Sequence, residues 1–455
     1  MKRTVFIYLR EAKFLSVLAA PLMVAQVSQM GMSVIDVVMA GRYGAVDLAG
    51  VGLGASVYWP TMLLLTGTLL AVTPTIAQLY GAGRVSETGA VARQAMMLGL
   101  VLGTIVFWVL QNMEPVYRFL EVDPEAIPIS VGFLRAQSYG IYGMLGYLVL
   151  RNLTEGLGLT VPTMVIVLCA FAFKIPLTYF FVFGVGDFEG LGGVGCGWST
   201  AVTMWMQLLG AIVAVKVTRA SRSGVFRGIE WPNFTVLSRL VRLGLPMGGT
   251  IFIEVSFFSC ITLFIGRLGV EAIAAHQIAM SVGSIGFMIP LALSLATTIR
   301  VGASVGASNF RVARRTVAVS IGISLLVGVC IAIVLLVGRD SIVSLYSEDL
   351  GVLELASFLL LMCAVFQLFD ASQVTAIGSL RGFKDAMVPL CLVTLSYWLI
   401  GMPLGAFLAY GAFTFVGVGV VGFWWGLVVG LACASILLIF RVRWITKHAP
   451  LRQQV

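Results

Sequence analysis

Stretches of about 20 predominantly apolar residues recur along the whole chain, and each is long enough to cross a bilayer as an α-helix. The composition agrees, because 59% of the 455 residues are hydrophobic and only 11% are charged. A soluble domain carries roughly 25% charged residues. The 51 glycines fit the close helix packing that small residues permit in lipid. The sequence therefore predicts an all-α polytopic membrane protein.

Twelve transmembrane helices are predicted, and the basic residues between them alternate from loop to loop. The spans lie at about 14–38, 48–76, 92–111, 131–150, 160–184, 192–215, 240–266, 273–299, 316–338, 354–377, 386–411 and 416–440. The termini and every second loop carry 23 of the 29 Lys and Arg residues. By the positive-inside rule, that side faces the cytoplasm. We expect a multi-pass protein of the cytoplasmic (inner) membrane with both termini cytoplasmic, whose net charge of +9 reflects topology and not nucleic-acid binding.

Cofactor and enzyme chemistry find no support in the sequence. Seven cysteines fall in predicted spans without paired spacing, and there are only two histidines, so we expect no disulfide framework and no metal site. The chain also lacks a glycine-rich phosphate-binding loop that ends in Gly-Lys-Ser/Thr. We therefore predict neither an enzyme nor an ATP-driven pump, and no cofactor.

The two halves of the chain repeat each other at an offset of 225 residues. Pro21 aligns with Pro246, and AGRYG at 40–44 aligns with IGRLG at 265–269. With one or two shifts, the register extends to Pro176 and Pro403. Six spans separate equivalent positions, so the repeats are parallel, as in transporters with a binding site between two halves. We predict two pseudo-symmetric six-helix lobes at 1–216 and 239–455, joined by a cytoplasmic linker at 217–238.

Five ionisable residues lie well inside predicted spans: Asp36, Arg135, Lys174, Glu254 and Asp370. A charge near the bilayer centre costs about 2.5 to 3.5 kcal/mol, and the cost falls when the group is protonated, paired or hydrated. Glu254, within TIFIEVSFFSCIT, and Asp370 lie deepest, and neither has a basic residue within one helical turn in sequence. We predict that both acids exchange a proton, or trade it for Na⁺, as coupling groups. The simpler alternative is that each only hydrogen-bonds a neighbouring helix.

Two of the other three charges, Asp36 and Arg135, have simpler explanations. Asp36 lies near the outer end of the first span, where interfacial water would lower its cost. Arg135 lies near the start of the fourth span, and we expect it to snorkel to the interface rather than to bind substrate.

Four stretches of the chain resemble one family of transporters. They are AGRYGAVDLAGVGL (40–53), LRNLTEGLGLTVPTM (150–164), AAHQIA (274–279) and FQLFDASQVTAIGSLRGFKDAMVP (366–389). They look like multidrug and toxic compound extrusion (MATE) transporters, of which the NorM branch is the most similar. The likeness runs nearly end to end and covers both halves.

The resemblance implies twelve helices in two six-helix lobes around a V-shaped central cleft. It also implies export of organic cations, such as drugs or dyes, in exchange for Na⁺ or H⁺. Glu254 and Asp370 stand where the family has its C-lobe coupling acids, with Na⁺ as an alternative occupant, and Asp36 stands at the N-lobe aspartate, where we expect it to couple cations and to line the substrate cavity. Gln277 occupies a cavity position that relatives use near substrate. We expect a functional monomer in the lipid bilayer.

One departure from the family pattern concerns the fifth span. Related sequences have Asn, Pro and then Asn or Asp there, facing the aspartate of the first span, whereas this chain has FKIPLT at 173–178. Lys174 and Thr178 share a helix face because they are four residues apart. We hypothesise that Lys174 pairs with Asp36 and fills the N-lobe cation site with its own ammonium group. The alternative is that Lys174 snorkels to the nearer interface.

Three other transporter classes compete with a drug antiporter. A lipid-linked precursor flippase can share the architecture, but its cleft should hold arginines for pyrophosphate, whereas this chain offers mainly acids. A nutrient importer of the major facilitator type should carry a compact Asp-Arg, Gly-Arg-Arg run between spans 2 and 3, where this chain has GAGRVSETGAVAR. A channel fits the composition, but repeated lobes with buried acids favour alternating access.

Overall fold

The computed structural model describes residues 2–119, 123–228, 230–346, 349–412 and 415–452, which are almost entirely helical. The α-helices are α1 Lys2–Tyr43, α2 Ala45–Leu69, α3 Val72–Gly81, α4 Val85–Gln111, α5 Glu114–Phe119, α6 Ala126–Ser138, α7 Ile141–Gly156, α8 Val161–Phe183, α9 Gly193–Val217, α10 Phe234–Gly266, α11 Val270–Gly306, α12 Phe310–Val343, α13 Leu350–Gly382, α14 Met387–Thr394, α15 Met402–Tyr410 and α16 Val420–Arg452. A π-helical segment, Leu395–Gly401, joins α14 to α15.

Among the described residues, eleven continuous helical segments are long and apolar enough to cross a membrane. The fourth predicted span completes the set of twelve, but it is divided into α6 and α7 around Tyr139 and Gly140, and neither part reaches 18 residues. Outward-facing side chains are apolar, as bilayer contact requires: Leu263 is 74% exposed and Val337 is 84% exposed. The chain is therefore an all-α polytopic membrane protein, as the sequence predicts.

The described chain divides into two compact units, and the divisions fall within helices. One unit contains Met1–Met23 with Gly249–Val455, and the other contains Val24–Gly248. The two division points lie 225 residues apart, which is the offset of the sequence repeat, and each follows a helical proline by two residues, Pro21 in α1 and Pro246 in α10. Thus α1 and α10 each contribute residues to both units. The lobe and linker boundaries at 216 and 239 stay a prediction.

Two short β-hairpins reproduce the repeat in the backbone. β1 (Gly184–Val185) pairs with β2 (Phe188–Glu189), and β3 (Gly411–Ala412) pairs with β4 (Phe415–Val416), each in antiparallel register. The first residues, Gly184 and Gly411, have φ values of 76° and 75°, a conformation that glycine adopts without the strain that a side chain would bring. Both hairpins occupy the same place, after the fifth span and before the sixth.

Helix α13 occupies the centre of its unit and packs against α11, α12 and α16. Glycines allow the close approach to α11: a Cβ atom at Gly378 would collide with the backbone of Ser294, and one at Gly382 would lie 2.8 Å from the side chain of Val301. This packing fixes which face of α13 is directed to the interior of the unit. Asp370 lies on α13 and is buried.

The N-terminal half of α1 is held within the same unit by a charged cluster. Arg300 of α11 donates to both carboxylate oxygens of Glu11, at 2.7 and 3.0 Å, and Thr316 of α12 donates to Glu11 Oε1 at 2.7 Å. The Arg300 guanidinium also lies 4.3 Å from the ring centroid of Phe14. A bidentate Arg–carboxylate pair fixes geometry as well as charge. It therefore joins residues 1–23 to α11 and α12.

In the 24–248 unit, α9 packs against α6, α7 and α8. The interruption between α6 and α7 lies on α9, where a Cβ atom at Gly140 would be 2.7 Å from Ala201 Cα. The same helix presents Ser199 and Thr200 toward α8. This arrangement brings polar groups of α9 close to the fifth span.

Replacing Gly378 by alanine should destabilise the protein, because the new methyl group collides with α11 backbone that cannot move independently. Overpacking of this kind costs about 1–3 kcal/mol. The measurement is the thermal unfolding midpoint of the detergent-purified full chain. Gly322→Ala on α12 is the matched control, since a Cβ atom there meets nothing within 4 Å. Equal midpoints for the two variants would contradict the packing described.

Candidate functional site

Asp36 of α1 and Lys174 of α8 lie side by side in the 24–248 unit. Lys174 Nζ is 2.9 Å from Asp36 Oδ1, and the two side chains are 1% and 14% exposed. Burying an ammonium ion costs several kcal/mol unless a counter-charge and hydrogen bonds compensate it. The adjacent carboxylate supplies that counter-charge. Lys174 therefore points inward to Asp36, and the snorkelling alternative is not observed.

Hydroxyl groups complete the surroundings of the Lys174 ammonium. It donates to Ser199 Oγ at 3.1 Å and to Thr200 Oγ1 at 2.5 Å, both on α9. The Thr200 hydroxyl lies 3.2 Å from Asp36 Oδ2, to which it donates, and Thr178 Oγ1 donates to Ser199 Oγ at 3.0 Å. An ammonium has three protons and here has three oxygen neighbours. Its charge is thus balanced by Asp36, and two of its protons have hydroxyl acceptors inside this unit.

Ser199 and Thr200 are functional candidates that sequence reasoning missed. Their signal is modest: two adjacent hydroxyl residues in GWST (197–200), within an apolar span. Hydroxyl residues occur throughout such spans, and no local rule distinguishes the pair that meets Lys174. Thr178, which the sequence did indicate, contacts the ammonium indirectly, through Ser199.

Glu254 of α10 lies in the other unit, where two neutral side chains contact it. Gln373 Nε2 of α13 is 3.3 Å from Glu254 Oε1, and the Tyr397 hydroxyl is also 3.3 Å from that oxygen. Tyr397 donates to Gln373 Oε1 over a shorter distance of 2.6 Å. Gln373 and Tyr397 are fully buried, while Glu254 is partly exposed. Neither neighbour was identified from the sequence.

Asp370 shares α13 with Gln373, three residues before it, and is 3% exposed. Its charge and that of Glu254 act on each other. The two acids that the sequence placed on spans 7 and 10 therefore lie in one unit and interact through their charges. Asp36 belongs to the other unit, with Lys174. The coupling roles of all three acids stay predictions.

Arg381 was counted from the sequence among the cytoplasmic loop residues, but the structure places it inside α13 with only 8% exposure. Its Nε atom has no hydrogen-bond partner among the described residues. Its positive charge acts on Glu254. Helix α13 continues about five residues beyond the predicted end of the tenth span at 377, so Arg381 lies on the helix rather than in the loop after it.

Gln277 and Arg135 lie apart from these clusters. Gln277 of α11 has an exposed side chain, and its role near substrate stays a prediction. Arg135 of α6 donates to the carbonyl oxygen of Gln111 and lies 3.7 Å from Glu114 Oε2, with half of its side chain exposed. This position at helix ends agrees with an arginine that reaches toward the interface.

Oxygen ligands for a small cation are present around Glu254. In the described residues, no group of three or more His, Cys, Asp or Glu side chains could hold a metal ion. Beside the Glu254 carboxylate, the side chains of Gln373 and Tyr397 contribute neutral oxygens. Hard cations accept carboxylate, carbonyl and hydroxyl oxygens. The oxygens around Glu254 are therefore of the chemical types that hard cations bind, although Gln373 Oε1 and the Tyr397 oxygen are bonded to each other.

A family model, individual proteins and solved structures each match both halves of this chain. The MatE family model matches residues 21–180 and 246–407, one match in each half. The multidrug resistance protein MdtK of Yersinia pseudotuberculosis (serotype O:1b, strain IP 31758) is 39% identical over 445 residues, which cover 97% of each chain, and MdtK of Yersinia enterocolitica is equally similar. Among solved structures, the eukaryotic MATE transporter AtDTX14 superposes with a TM-score of 0.86 at 21% identity, covering 98% of this chain and 99% of that one. A MATE structure in a bent conformation gives 0.88 at 20% identity over 97% of both chains.

Neutralising only one member of the Asp36–Lys174 pair should destabilise the protein more than neutralising both. Asp36→Asn and Lys174→Met each leave an uncompensated buried charge, which costs about 3–5 kcal/mol. The double variant should recover part of that loss, measured as the thermal unfolding midpoint in detergent. Glu114→Gln with Arg118→Gln, an exposed pair at 2.7 Å, is the control cycle and should show no coupling. Additive losses for Asp36 and Lys174 would count against a stabilising pair.

Proposed function

The chain belongs to the MatE family of membrane transporters, and from that premise we propose that it is a secondary active multidrug antiporter. It exports lipophilic organic cations from the cytoplasm in exchange for H⁺ or Na⁺. It acts in the cytoplasmic (inner) membrane, with both termini in the cytoplasm. The names of its relatives support drug efflux, and the alternation of basic loops supports the orientation.

The proposal is supported by the presence of Glu254 and the buried Asp370 in the same unit, where their charges interact. Two carboxylates in a poorly hydrated environment repel each other when both are ionised, so the pair favours binding a proton or another small cation. An organic cation offers the same positive charge. Small cation and drug therefore compete for one negative potential, which is the requirement for exchange.

In the proposed cycle, H⁺ or Na⁺ enters at Glu254 and Asp370 and causes the drug to be released outward. The occupied acids then carry less negative charge, which permits return to the inward-facing state. One H⁺ exchanged for one monovalent drug moves no net charge. A second cation per cycle would add about 2.3 kcal/mol per 100 mV of membrane potential, worth about fortyfold in the drug gradient.

Lys174 gives the two units different roles in this proposal. An internal ammonium beside Asp36 competes with any external cation for that carboxylate. Coupling then depends on Glu254 and Asp370, and Asp36 accepts a cation only when Lys174 moves away. The polar group formed by Asp36, Lys174, Thr178, Ser199 and Thr200 contributes mainly fixed, neutralised charge.

A lipid-linked precursor flippase is not favoured. Arginines that could bind pyrophosphate are already paired: Arg151 with Glu155 at 2.6 Å and Arg300 with Glu11 at 2.7 Å. Arg381 is a buried guanidinium whose charge interacts with that of Glu254. The relatives are named for multidrug resistance.

Glu254→Gln and Asp370→Asn should each abolish gradient-driven efflux, because the neutral side chains cannot exchange a proton or bind Na⁺ by charge. The measurement is efflux of a fluorescent organic cation from proteoliposomes under separately imposed pH and Na⁺ gradients. Arg135→Gln is the control and should pump normally, since Arg135 lies outside the acid cluster. Normal pumping by both acid variants under either gradient would refute their assignment.

Lys174→Asn should increase the response of efflux to Na⁺, because it removes the internal cation that competes at Asp36. The same proteoliposomes would be titrated with Na⁺ at constant pH, for wild type and variant. Lys174→Arg keeps the positive charge and should retain the wild-type Na⁺ response. An unchanged Na⁺ titration for Lys174→Asn would count against competition by the lysine.

A further inference from the structure

The hydrogen bonds around Glu254 can all be formed together only in one protonation state. Tyr397 lies 2.6 Å from Gln373 Oε1 and 3.3 Å from Glu254 Oε1, but its hydroxyl has a single proton to donate. The shorter distance assigns that proton to Gln373. The Tyr397 oxygen is then an acceptor toward Glu254, which must donate.

A protonated Glu254 closes a ring of three hydrogen bonds. With the proton on Oε1, Glu254 donates to the Tyr397 oxygen at 3.3 Å, Tyr397 donates to Gln373 Oε1 at 2.6 Å, and Gln373 Nε2 donates back to the same Glu254 oxygen at 3.3 Å. An ionised Glu254 only accepts hydrogen bonds. It would then draw the Tyr397 proton away from Gln373 Oε1 and leave that buried oxygen without this donor. An unsatisfied buried polar atom costs about 1–3 kcal/mol.

We propose that Tyr397 and Gln373 are positioning residues that make Glu254 accept H⁺ in preference to Na⁺, and that the Tyr397 hydroxyl changes its partner when Glu254 gains or loses the proton. This inference rests on the proposed antiport function and names its coupling ion. Sodium would require an ionised Glu254 and separated ligand oxygens. The Tyr397 and Gln373 oxygens are instead bonded to each other at 2.6 Å, and Na⁺ binding would have to break that bond.

The surroundings hold Tyr397 in place for this role. It lies in the π-helical segment Leu395–Gly401, the kind of local helix irregularity that often occurs at functional sites. Its ring stacks on Phe257 of α10, with centroids 4.8 Å apart and planes 17° apart. Tyr397 and Gln373 are both 0% exposed, so water does not compete for their hydrogen bonds.

The charged and titratable groups that act on Glu254 come from two packed elements. Asp370 and Arg381 act from α13, and Tyr397 acts from the π-helical segment. Arg381 and Asp370 have opposite charges, so their effects on Glu254 oppose each other. The ring of hydrogen bonds among Glu254, Tyr397 and Gln373 is therefore the feature that favours a proton over another monovalent cation.

The first experiment uses the full-length wild type in proteoliposomes loaded with a fluorescent organic cation. A pH gradient alone should drive efflux, and a Na⁺ gradient at constant pH should not. Efflux driven by Na⁺ at constant pH would overturn the choice of H⁺. Absence of efflux under both gradients would instead refute the proposed antiport function.

Tyr397→Phe tests the ring while keeping the stacking on Phe257. The variant should require about three- to tenfold more H⁺ for half-maximal efflux, the effect of losing one net hydrogen bond, while its maximal rate stays near wild type. Tyr410→Phe removes a tyrosine hydroxyl that bonds the Phe264 carbonyl elsewhere in the unit, and it should leave the pH profile unchanged. Identical pH profiles for Tyr397→Phe and wild type would overturn the proposal.

An infrared measurement on the wild type does not depend on the folding of a Tyr397 variant. Difference spectra between acid and alkaline pH should contain a tyrosine C–O band, because the hydroxyl changes its hydrogen-bond partner. Glu254→Gln should remove the band, whereas Tyr410→Phe should retain it. A spectrum without a Glu254-dependent tyrosine signal would overturn the partner change, whatever the transport assays show.

Discussion

The energetic cost of an ionised side chain away from water is the constraint on which the rest of this structure depends. The two compact units reduce this energetic cost in different ways. In the 24–248 unit, Lys174 neutralises Asp36 at 2.9 Å, and hydroxyl groups use the remaining ammonium protons. In the other unit, the neutral side chains of Gln373 and Tyr397 contact Glu254, and the charge of Asp370 interacts with that of Glu254.

This difference divides the chemistry between the units. The Asp36 carboxylate is already neutralised by the Lys174 ammonium, so it attracts a cation from solution only weakly. Glu254, which has neutral hydrogen-bond partners, and the buried Asp370 are not neutralised in this way, so binding of a proton or a small cation would lower their energetic cost. Under the proposed function, the unit with Glu254 and Asp370 performs the ion exchange. In the unit with Asp36, the charge of that carboxylate is balanced by Lys174.

The internal repeat provides a common scaffold, and local departures from it position the polar groups. The fourth span is broken into α6 and α7 in one repeat, whereas its counterpart α13 is continuous and carries Asp370 and Gln373. The fifth span is the regular helix α8 in one repeat, whereas its counterpart contains the π-helical segment that carries Tyr397. The shift that aligns Pro176 with Pro403 also aligns Lys174 with Gly401. The repeated backbone therefore holds different chemistry at equivalent positions.

The sequence by itself determined the membrane class, the twelve spans, the repeat, and the charged candidates Asp36, Lys174, Glu254 and Asp370. Each of these leaves a strong local signal, because hydrophobic length and charges inside apolar runs have large energetic consequences. Only the tertiary structure decided which side chains contact these charged residues. Tyr397 meets Glu254 across 143 residues and Arg93 meets Glu230 across 137, and Ser199, Thr200 and Gln373 are neutral residues of types common in such helices. Neutral polar side chains cost little in a helix, so their role becomes visible only when packing brings them to a charge.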